Sequence, residues 1–191
     1  AKDFGLDQPG WRTSSFSYFH MRGRYSLLID NLLDLTHLPL LHHHLPGGEH
    51  IMKTPMSDEE RDGIYYLIRT PKLHWSPFHD LIYGPEAKFD GEAKVNNVTA
   101  FYGPELIRTG LGDYTEIEGL ESLPNGLGRF YIMHGITPET DKSTHYFGFA
   151  TRNFKRDSQA LDDFWRDSDK VIRGQDVVAL AKSLSQRFGA F

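Results

Sequence analysis

The chain has 191 residues, 39% of them hydrophobic and 25% charged, which is the composition of an ordinary globular domain large enough to bury a core. A net charge of −5 with scattered basic residues argues against a nucleic-acid surface, and no apolar run is long enough to span a membrane. The sequence has no cysteine, which excludes disulfides, thiolate zinc sites, a cysteine nucleophile and any iron–sulfur cluster held by these residues. Since the N-terminus has no pattern typical of a signal peptide, a cytoplasmic protein is expected.

The first third of the chain predicts a strand followed by a helix. Residues 1–12 are rich in glycine, proline and aspartate and are interpreted as a lead-in segment to one domain over 13–191. Alternating aromatic residues predict a strand over 14–22, and apolar residues at helical spacing predict a helix from about Tyr25 to Leu35. Pro39 then forces a break or a new turn, because it lacks a backbone N–H and disfavours the helical conformation in the residue before it.

The middle of the chain predicts serial antiparallel strands, and the end predicts a long helix. The segments predicted as strands are rich in β-branched or aromatic residues and are bounded by Gly, Pro or Asn: 63–71, 87–104, 105–119, 127–140 and 143–154. From about 158 to 188 the apolar period returns to that of a helix. The simplest arrangement of this order is an α+β domain in which a curved antiparallel sheet wraps over the C-terminal helix.

The segment DNLLDLTHLPLLHHH, residues 30–44, has the spacing of a candidate metal site. Two histidines five residues apart, His37 and His42, differ by about 140° around an unbroken helix, but Pro39 between them lets both rings converge. Asp34 is one turn before His37, so its carboxylate is expected to accept a hydrogen bond from that ring and orient it. The alternative is a solvated helix end that happens to carry histidines. His43 and His44 are the less favoured ligands.

A carboxylate on the C-terminal helix is the expected third ligand. Asp176 falls within roughly 60° of the centre of the apolar stripe of that helix, where a carboxylate is costly unless it is paired or binds a metal. The acids expected to lie farther from the stripe are Asp162, Asp163 and Asp167, with Asp169 in between. With His37 and His42, Asp176 would complete a site of two histidines and one carboxylate.

The chain resembles the catalytic domain of Rieske-type non-haem iron oxygenases, in particular the vanillate O-demethylase and dicamba monooxygenase group. The resemblance rests on the stretch YSLLIDNLLDLTH that continues to His42, on HGITPETDKSTHYFGFATRNF at 134–154, and on VIRGQDVVAL at 171–180. The opening residues AKDFG resemble the entry from the Rieske domain into the catalytic domain. The likeness covers nearly the whole chain but only half of an ordinary family member, so we expect a fragment that begins at the domain boundary or a domain that works with a separate Rieske protein.

The resemblance implies site residues and a fold. His37, His42 and Asp176 would bind one Fe(II), Asp34 would carry electrons from the Rieske cluster of a neighbouring subunit to His37, and Asn31 corresponds to an asparagine beside the iron. Gln175 departs from the family pattern, in which an acid often precedes the carboxylate ligand. The implied fold is a helix-grip domain of the START/Bet v1 type.

The resemblance also implies activity and partners. The reaction would be O₂-dependent hydroxylation or O-demethylation of a small aromatic compound, with electrons from NAD(P)H through a reductase and a [2Fe–2S] Rieske centre on another domain. A homotrimer is the implied assembly.

Two other functions remain open from the residues alone. A metal-dependent hydrolase could use the same ligands with zinc, with Asp34 as the nearby candidate base. A non-catalytic helix-grip protein could bind a small apolar ligand without any metal. Within the sheet, His134 and Arg152 are weak candidates for binding a substrate carboxylate, although a structural role is the more common one for such residues.

Overall fold

The computed structural model describes residues 4–43, 48–84, 88, 92–117 and 128–188. The elements in chain order are β1 (Arg12–Met21), α1 (Tyr25–Leu33), α2 (Leu38–Leu41), α3 (Gly48–Lys53), β2 (Met56–Arg61), β3 (Ile64–Arg69), β4 (Lys72–His74), α4 (Pro77–Tyr83), β5 (Glu92–Gly103), β6 (Leu106–Thr109), β7 (Leu111–Ile117), β8 (Phe130–Pro138), β9 (Thr144–Arg152) and α5 (Gln159–Phe188). A short 3₁₀ turn, Leu35–His37, joins α1 to α2.

Within the described residues, the strands form one antiparallel sheet of nine strands. Its order is β1-β9-β8-β6-β5-β3-β2, and the long strand β5 also pairs with β4 and β7. On β9 burial alternates from Thr144 to Ala150, with Thr144, Tyr146 and Ala150 buried on the inner face. This alternation follows from the pleat of a strand that is covered on one side. The predicted antiparallel sheet is confirmed.

The helix α5 packs against the inner face of the sheet. Its residues Leu161 and Trp165 are buried, and the Trp165 ring stacks on Phe130 of β8 with ring centroids 3.9 Å apart. An amphipathic helix has one apolar stripe to bury, and an antiparallel sheet has one apolar face. Packing the helix on the sheet buries both surfaces. The helix was expected over 158–188 and spans Gln159–Phe188, so the predicted α+β class is confirmed.

Two groups of buried side chains form the core. One group joins β8, β9, α4 and the start of α5: Leu73, Ile82, Tyr83, Val95, Phe130, Ala150, Leu161 and Trp165. The other joins α1 to the sheet: Met21, Leu28, Leu32, Ile107, Ile136 and Tyr146. The second group fixes α1, and thereby the histidine segment that follows it, against the inner face of the sheet.

The structure differs from the predicted elements at several places. The helix α1 ends at Leu33 rather than Leu35, and the predicted strand 63–71 is the strand β3, after which β4 begins at Lys72. The strand β2 and the helices α3 and α4 were not predicted, since β2 is exposed along its whole length and the two helices are short. Among the described residues, no helix is both long and apolar enough to cross a membrane.

The described part of the lead-in segment packs on the sheet. The Thr151 hydroxyl donates a hydrogen bond to the Phe4 carbonyl, and the Trp11 ring stacks on Tyr131 with centroids 5.1 Å apart. The strand β1 begins at Arg12, the last residue assigned to that segment. These contacts attach residues 4–11 to β8 and β9.

Candidate metal centre

The turn after α1 brings His37 and His42 together. The backbone of Asp34 is extended (φ −106°, ψ 98°), which ends α1, and its carboxylate accepts a hydrogen bond from the Thr36 N–H at 3.0 Å. This bond caps the 3₁₀ turn. Pro39 lies in the first turn of α2, where a missing N–H costs nothing. The rings of His37 and His42 meet edge to face, with centroids 5.3 Å apart.

Asp176 of α5 completes a cluster of three potential ligands. Its Oδ1 atom lies 3.0 Å from His42 Nε2 and 3.8 Å from His37 Nε2, and the ligand atoms of all three residues lie within 4.8 Å of one another. His42 is 1% exposed and Asp176 is 4% exposed. Nitrogen and oxygen ligands bind transition metals at about 2.0–2.2 Å, so one ion could contact all three atoms. The residues therefore fit a mononuclear metal ion.

Each histidine is oriented by a hydrogen bond on its other ring nitrogen. His37 Nδ1 lies 2.7 Å from the backbone carbonyl oxygen of Asp34, and His42 Nδ1 lies 2.8 Å from Oε1 of Gln175. Because a carbonyl only accepts, both Nδ1 atoms donate and both Nε2 atoms face Asp176. The expected bond between the Asp34 carboxylate and His37 was wrong in one respect, since the carbonyl oxygen of Asp34 makes it while the carboxylate caps the turn.

Asn31 lies beside the carboxylate of Asp176. Its side-chain N–H donates a hydrogen bond to Asp176 Oδ1 at 3.2 Å. The same oxygen faces Nε2 of both histidines. Asn31 therefore orients the Asp176 oxygen that would bind the metal ion. Asp34 is exposed, in contrast to the buried Asp176.

Hydrogen bonding sets the charge states of the cluster. Burial lowers the pKa of His42, but its hydrogen bonds to Asp176 and Gln175 and the charge of Asp176 outweigh burial, so the pKa of His42 is raised. The backbone hydrogen bond from Thr36 lowers the pKa of Asp34, which keeps that carboxylate ionised. His42 Nε2 lies 3.0 Å from the Asp176 carboxylate, and a metal ion bound there would require the neutral form of His42.

The other acids of α5 have different environments. Asp163 is partly exposed and Asp167 exposed, as expected from the helical wheel, but the expectation for Asp162 was wrong because Asp162 is buried. It binds Arg12 of β1 at 2.7 Å and also pairs with Arg152 of β9. These arginines compensate its charge, and neither is close to it in sequence.

A cavity of about 200 Å³ opens beside the cluster. Its lining is mostly apolar and comes largely from the α1 to α3 region, from β8 and from α5. The apolar lining residues are Leu32, Leu35, Leu38, Ile51, Phe130, Ile132, Trp165 and Ile172. His37, His42 and Asp176 form part of the same wall. An apolar cavity with a few converging polar groups is the usual form of a small-molecule site.

Of the two substrate-binding candidates, only His134 lines this cavity. Its Nδ1 atom accepts a hydrogen bond from Arg173 at 2.6 Å, so the ring proton is on Nε2, which donates to the Thr109 hydroxyl at 2.8 Å. Burial, and then the charge of Arg173, hold the pKa of His134 well below its ordinary value. Arg152 is not among the residues that line the cavity and instead pairs with Asp162 and Ser14, which gives it a structural role.

Two features of the site were not predicted from the sequence. Gln175 was noted only as a departure from a family pattern, whereas its amide oxygen orients His42. The buried pair of Arg173 and Asp169 (2.6 Å) also lines the cavity, and the arginine donates further hydrogen bonds to the Tyr146 hydroxyl and the Met133 carbonyl. The spacing of four residues between an acid and an arginine on a buried stripe is the sequence signal for such a pair.

The fold and the cluster of two histidines and one aspartate define a helix-grip domain with a candidate mononuclear metal site, and comparison with known proteins gives its family. Residues 21–184 match the family described as the vanillate O-demethylase oxygenase C-terminal domain. The chain belongs to this family.

Several relatives are oxygenase components. The chain is 30% identical over 180 residues to a putative toluene-4-sulfonate monooxygenase system iron-sulfur subunit from Comamonas testosteroni. The aligned region covers 87% of this chain and 46% of that protein. It is 27% identical over 193 residues to the oxygenase component of a dicamba O-demethylase from Stenotrophomonas maltophilia, covering 94% and 49%. The chain thus spans about half the length of the curated relatives it matches.

Solved structures share the fold. The crystal structure of dicamba monooxygenase bound to dicamba superposes with a TM-score of 0.69 at 21% identity, over 96% of this chain and 53% of that one. A structure of the same enzyme with non-haem iron and dicamba gives a TM-score of 0.62. The predicted resemblance and fold are confirmed, and family membership supports the oxygenase interpretation over the hydrolase and the binding protein.

Proposed function

We propose that this chain is the catalytic domain of a Rieske-type mononuclear non-haem iron oxygenase that hydroxylates or O-demethylates a small aromatic compound with O₂. The observation that carries the proposal is the convergence of His37, His42 and Asp176 on one side of a largely apolar cavity. The names of the relatives, which are oxygenase components or iron-sulfur subunits of monooxygenase systems, support it.

Fe(II) is the proposed metal, held by Nε2 of His37, Nε2 of His42 and Oδ1 of Asp176. Two neutral imidazoles and one carboxylate are the ligand set that leaves several coordination positions open on Fe(II). When bound, the iron supplies the reductive activation of O₂, with electrons from NAD(P)H through a reductase and a Rieske centre.

The residues around the ligands hold them in position. Gln175 and the Asp34 carbonyl each accept the Nδ1 proton of one histidine, which leaves the Nε2 lone pairs free to bind the ion. Asn31 fixes the Asp176 oxygen by hydrogen bonding. These bonds organise the ligands before the metal arrives.

Asp34 is proposed as the electron entry point. It is exposed, and its carbonyl is in direct hydrogen-bond contact with His37, so a partner that docks over Asp34 would be coupled to a ligand of the iron. The partners in this proposal are a Rieske ferredoxin-type domain and an NAD(P)H-dependent reductase, in the cytoplasm where that reductant is available. A homotrimer, in which a neighbouring subunit presents its Rieske domain to Asp34, belongs to the same proposal.

The substrate is proposed to lie between β8 and α5. The rings of Phe130 and Trp165 and the side chain of Ile172 offer an apolar surface for an aromatic ring beside the ligands. His134 is neutral, and both of its ring nitrogens are hydrogen-bonded. We therefore propose that it positions Arg173 and Thr109. Contact with a substrate is a second role to test.

A single-turnover assay tests the proposed function. The chain is loaded anaerobically with Fe(II), mixed with a chemically reduced Rieske ferredoxin and a panel of methoxylated aromatic acids, and exposed to O₂. We expect formaldehyde or a hydroxylated product from at least one substrate, none from Asp176→Asn, and wild-type yield from the matched control Asp167→Asn on the exposed side of α5. Equal yields from Asp176→Asn and wild type, or turnover with Zn²⁺ in place of Fe(II), would contradict the proposal.

A further inference from the structure

A second cluster of metal-binding side chains lies on the outer face of the sheet. His20 of β1 and His145 of β9 are directly opposite each other in the antiparallel pairing, and Glu139 follows the end of β8. The ligand atoms of these three residues lie within 4.8 Å of one another. The cluster shares no residue with the candidate iron site, and the function proposed above does not use it.

The distances suit one small cation. His20 Nε2 lies 2.6 Å from one oxygen of Glu139, and His145 Nε2 lies 3.9 Å from the other oxygen. The two imidazole rings are stacked at an interplanar angle of 28°, with centroids 5.1 Å apart. Ligand bonds of about 2.0–2.2 Å at tetrahedral angles place ligand atoms some 3–4 Å apart, so small side-chain movements would let one ion contact all three.

Neighbouring groups orient the His145 ring and fix the backbone at Glu139. The Tyr18 hydroxyl lies 2.8 Å from His145 Nδ1, so His145 presents its Nε2 atom to the cluster. Glu139 begins a tight turn in which the Glu139 and Thr140 N–H groups both donate to the Ser143 carbonyl at 3.1 Å. Because the strands and this turn already fix the backbone, binding an ion would order only the ends of three side chains.

We propose that His20, His145 and Glu139 form a second cation site that binds a divalent transition metal of the zinc type. Imidazole and carboxylate ligands suit Zn²⁺, and affinity for such ligands is greater for Zn²⁺ than for Fe²⁺. Three protein ligands leave a fourth position for water, which fits the partial exposure of all three residues.

The ion would link the end of β1 to the turn between β8 and β9. Next to His145, the Thr144 hydroxyl donates a hydrogen bond at 2.8 Å to the Gly23 carbonyl, immediately before α1. The site is therefore adjacent to the segment that leads into the helix carrying Asn31. Binding would stabilise the folded state by mass action without taking part in the reaction.

Calorimetric titration of the full chain with Zn²⁺ tests the site. The test is made in the Asp176→Asn variant, which weakens the candidate iron site, and compares Glu139→Gln and His145→Ala in that background. The matched control is His74→Ala, which removes an exposed histidine that lies 3.6 Å from Glu92. We expect one equivalent of Zn²⁺ to bind the parent and the control, at least a tenfold weaker affinity for both cluster variants, and a Zn²⁺-dependent rise in Tm only where the cluster is intact.

Two results would overturn the proposal. The first is Zn²⁺ binding of unchanged affinity and stoichiometry in Glu139→Gln and His145→Ala, which would mean an adventitious ion only. The second is no saturable binding to the parent, which would leave His20 and Glu139 as a simple surface ion pair. Circular dichroism of each metal-free variant checks that the fold is intact, and because the titration does not depend on oxygenase activity, its failure is distinguishable from failure of the proposed function.

Discussion

At the scale of single residues, Gln175 acts through His42, whose Nδ1–H donates to the Gln175 amide oxygen. Gln175 precedes Asp176 on α5, and the two side chains contact opposite nitrogens of the His42 ring, Gln175 at Nδ1 and Asp176 at Nε2. A neutral amide accepts the Nδ1 proton of His42 without adding a second negative charge to the site. An acid at this position would instead strengthen the basicity of His42.

Replacing Gln175 should weaken metal binding more than it weakens folding. In Gln175→Leu the Nδ1 proton of His42 loses its acceptor, and we expect Fe(II) affinity to fall by about 10–100-fold, as is typical when an outer hydrogen-bond partner is removed. The measurement is an anaerobic Fe(II) titration. Gln175→Glu, which keeps an acceptor, should retain binding, and Gln159→Leu at the exposed start of α5 is the matched control. Wild-type affinity in Gln175→Leu would contradict the assigned role.

The three candidate ligands stand out in local sequence patterns, whereas the hydrogen bonds that support them do not. Pro39 between His37 and His42, and the position of Asp176 on the apolar stripe, are features of short segments of sequence. His37 bonds to the carbonyl of Asp34 because the Asp34 carboxylate accepts the Thr36 N–H instead. Only the folded turn brings that N–H close to the carboxylate. Asp162 was expected to lie far from the apolar stripe, because a helical wheel does not show its partners Arg12 and Arg152 on β1 and β9.

At the scale of elements, α5 carries the polar groups that the cavity requires. Arg173 is 1% exposed and shares its donors among Asp169, Tyr146, His134 and the Met133 carbonyl. A buried arginine is tolerated only when its charge is paired and its N–H groups are bonded. The helix is therefore held to β8 and β9 by polar contacts as well as by apolar packing.

Breaking the ion pair inside α5 should cost far more stability than breaking one on its surface. Arg173→Met leaves Asp169 buried without its partner, so we expect a loss of about 3–5 kcal/mol in the free energy of unfolding. The matched control is Arg166→Met, which removes the exposed pair with Asp163 and should cost at most about 1 kcal/mol. Urea unfolding followed by circular dichroism measures both. Similar losses in the two variants would show that Arg173 does not stabilise the helix contact.

The elements themselves were predictable where periodicity was strong. The helix α5 and the strands β1, β8 and β9 follow unambiguous apolar patterns, and their bounds lie within a few residues of those expected. The strand β2 has no buried face and hence no alternation for a pattern to detect. The end of α1 depends on the extended backbone of Asp34, which periodicity does not report.

At the scale of the whole molecule, a buried neutral histidine makes stability depend on pH. The pKa of His134 in the folded protein lies well below 6.5, mainly because of burial, whereas in the unfolded chain it is about 6.5. Below pH 6.5 the unfolded chain therefore binds a proton that the folded chain does not, and this favours unfolding. His79, whose pKa is also lowered by burial, acts in the same direction, and His42, whose pKa is raised, acts in the opposite one.

The contribution of His134 can be isolated by comparing how steeply the free energy of unfolding changes with pH in His134→Gln and in the wild-type protein. Between pH 6.5 and 5, His134→Gln should lose stability less steeply than the wild-type protein, by up to about 1.4 kcal/mol per pH unit, because one linked proton is removed. The measurement is the free energy of unfolding across that range, with His74→Gln as an exposed-histidine control. Parallel curves for His134→Gln and wild type would contradict a neutral buried His134.

Anomalous diffraction would show whether His37, His42 and Asp176 together bind one iron ion. Crystals of the chain loaded anaerobically with Fe(II) would be measured on both sides of the iron absorption edge. We predict a peak at about 2.0–2.2 Å from His37 Nε2, His42 Nε2 and an Asp176 oxygen, and its loss in Asp176→Asn. No peak among these three residues in the loaded protein would contradict the claim.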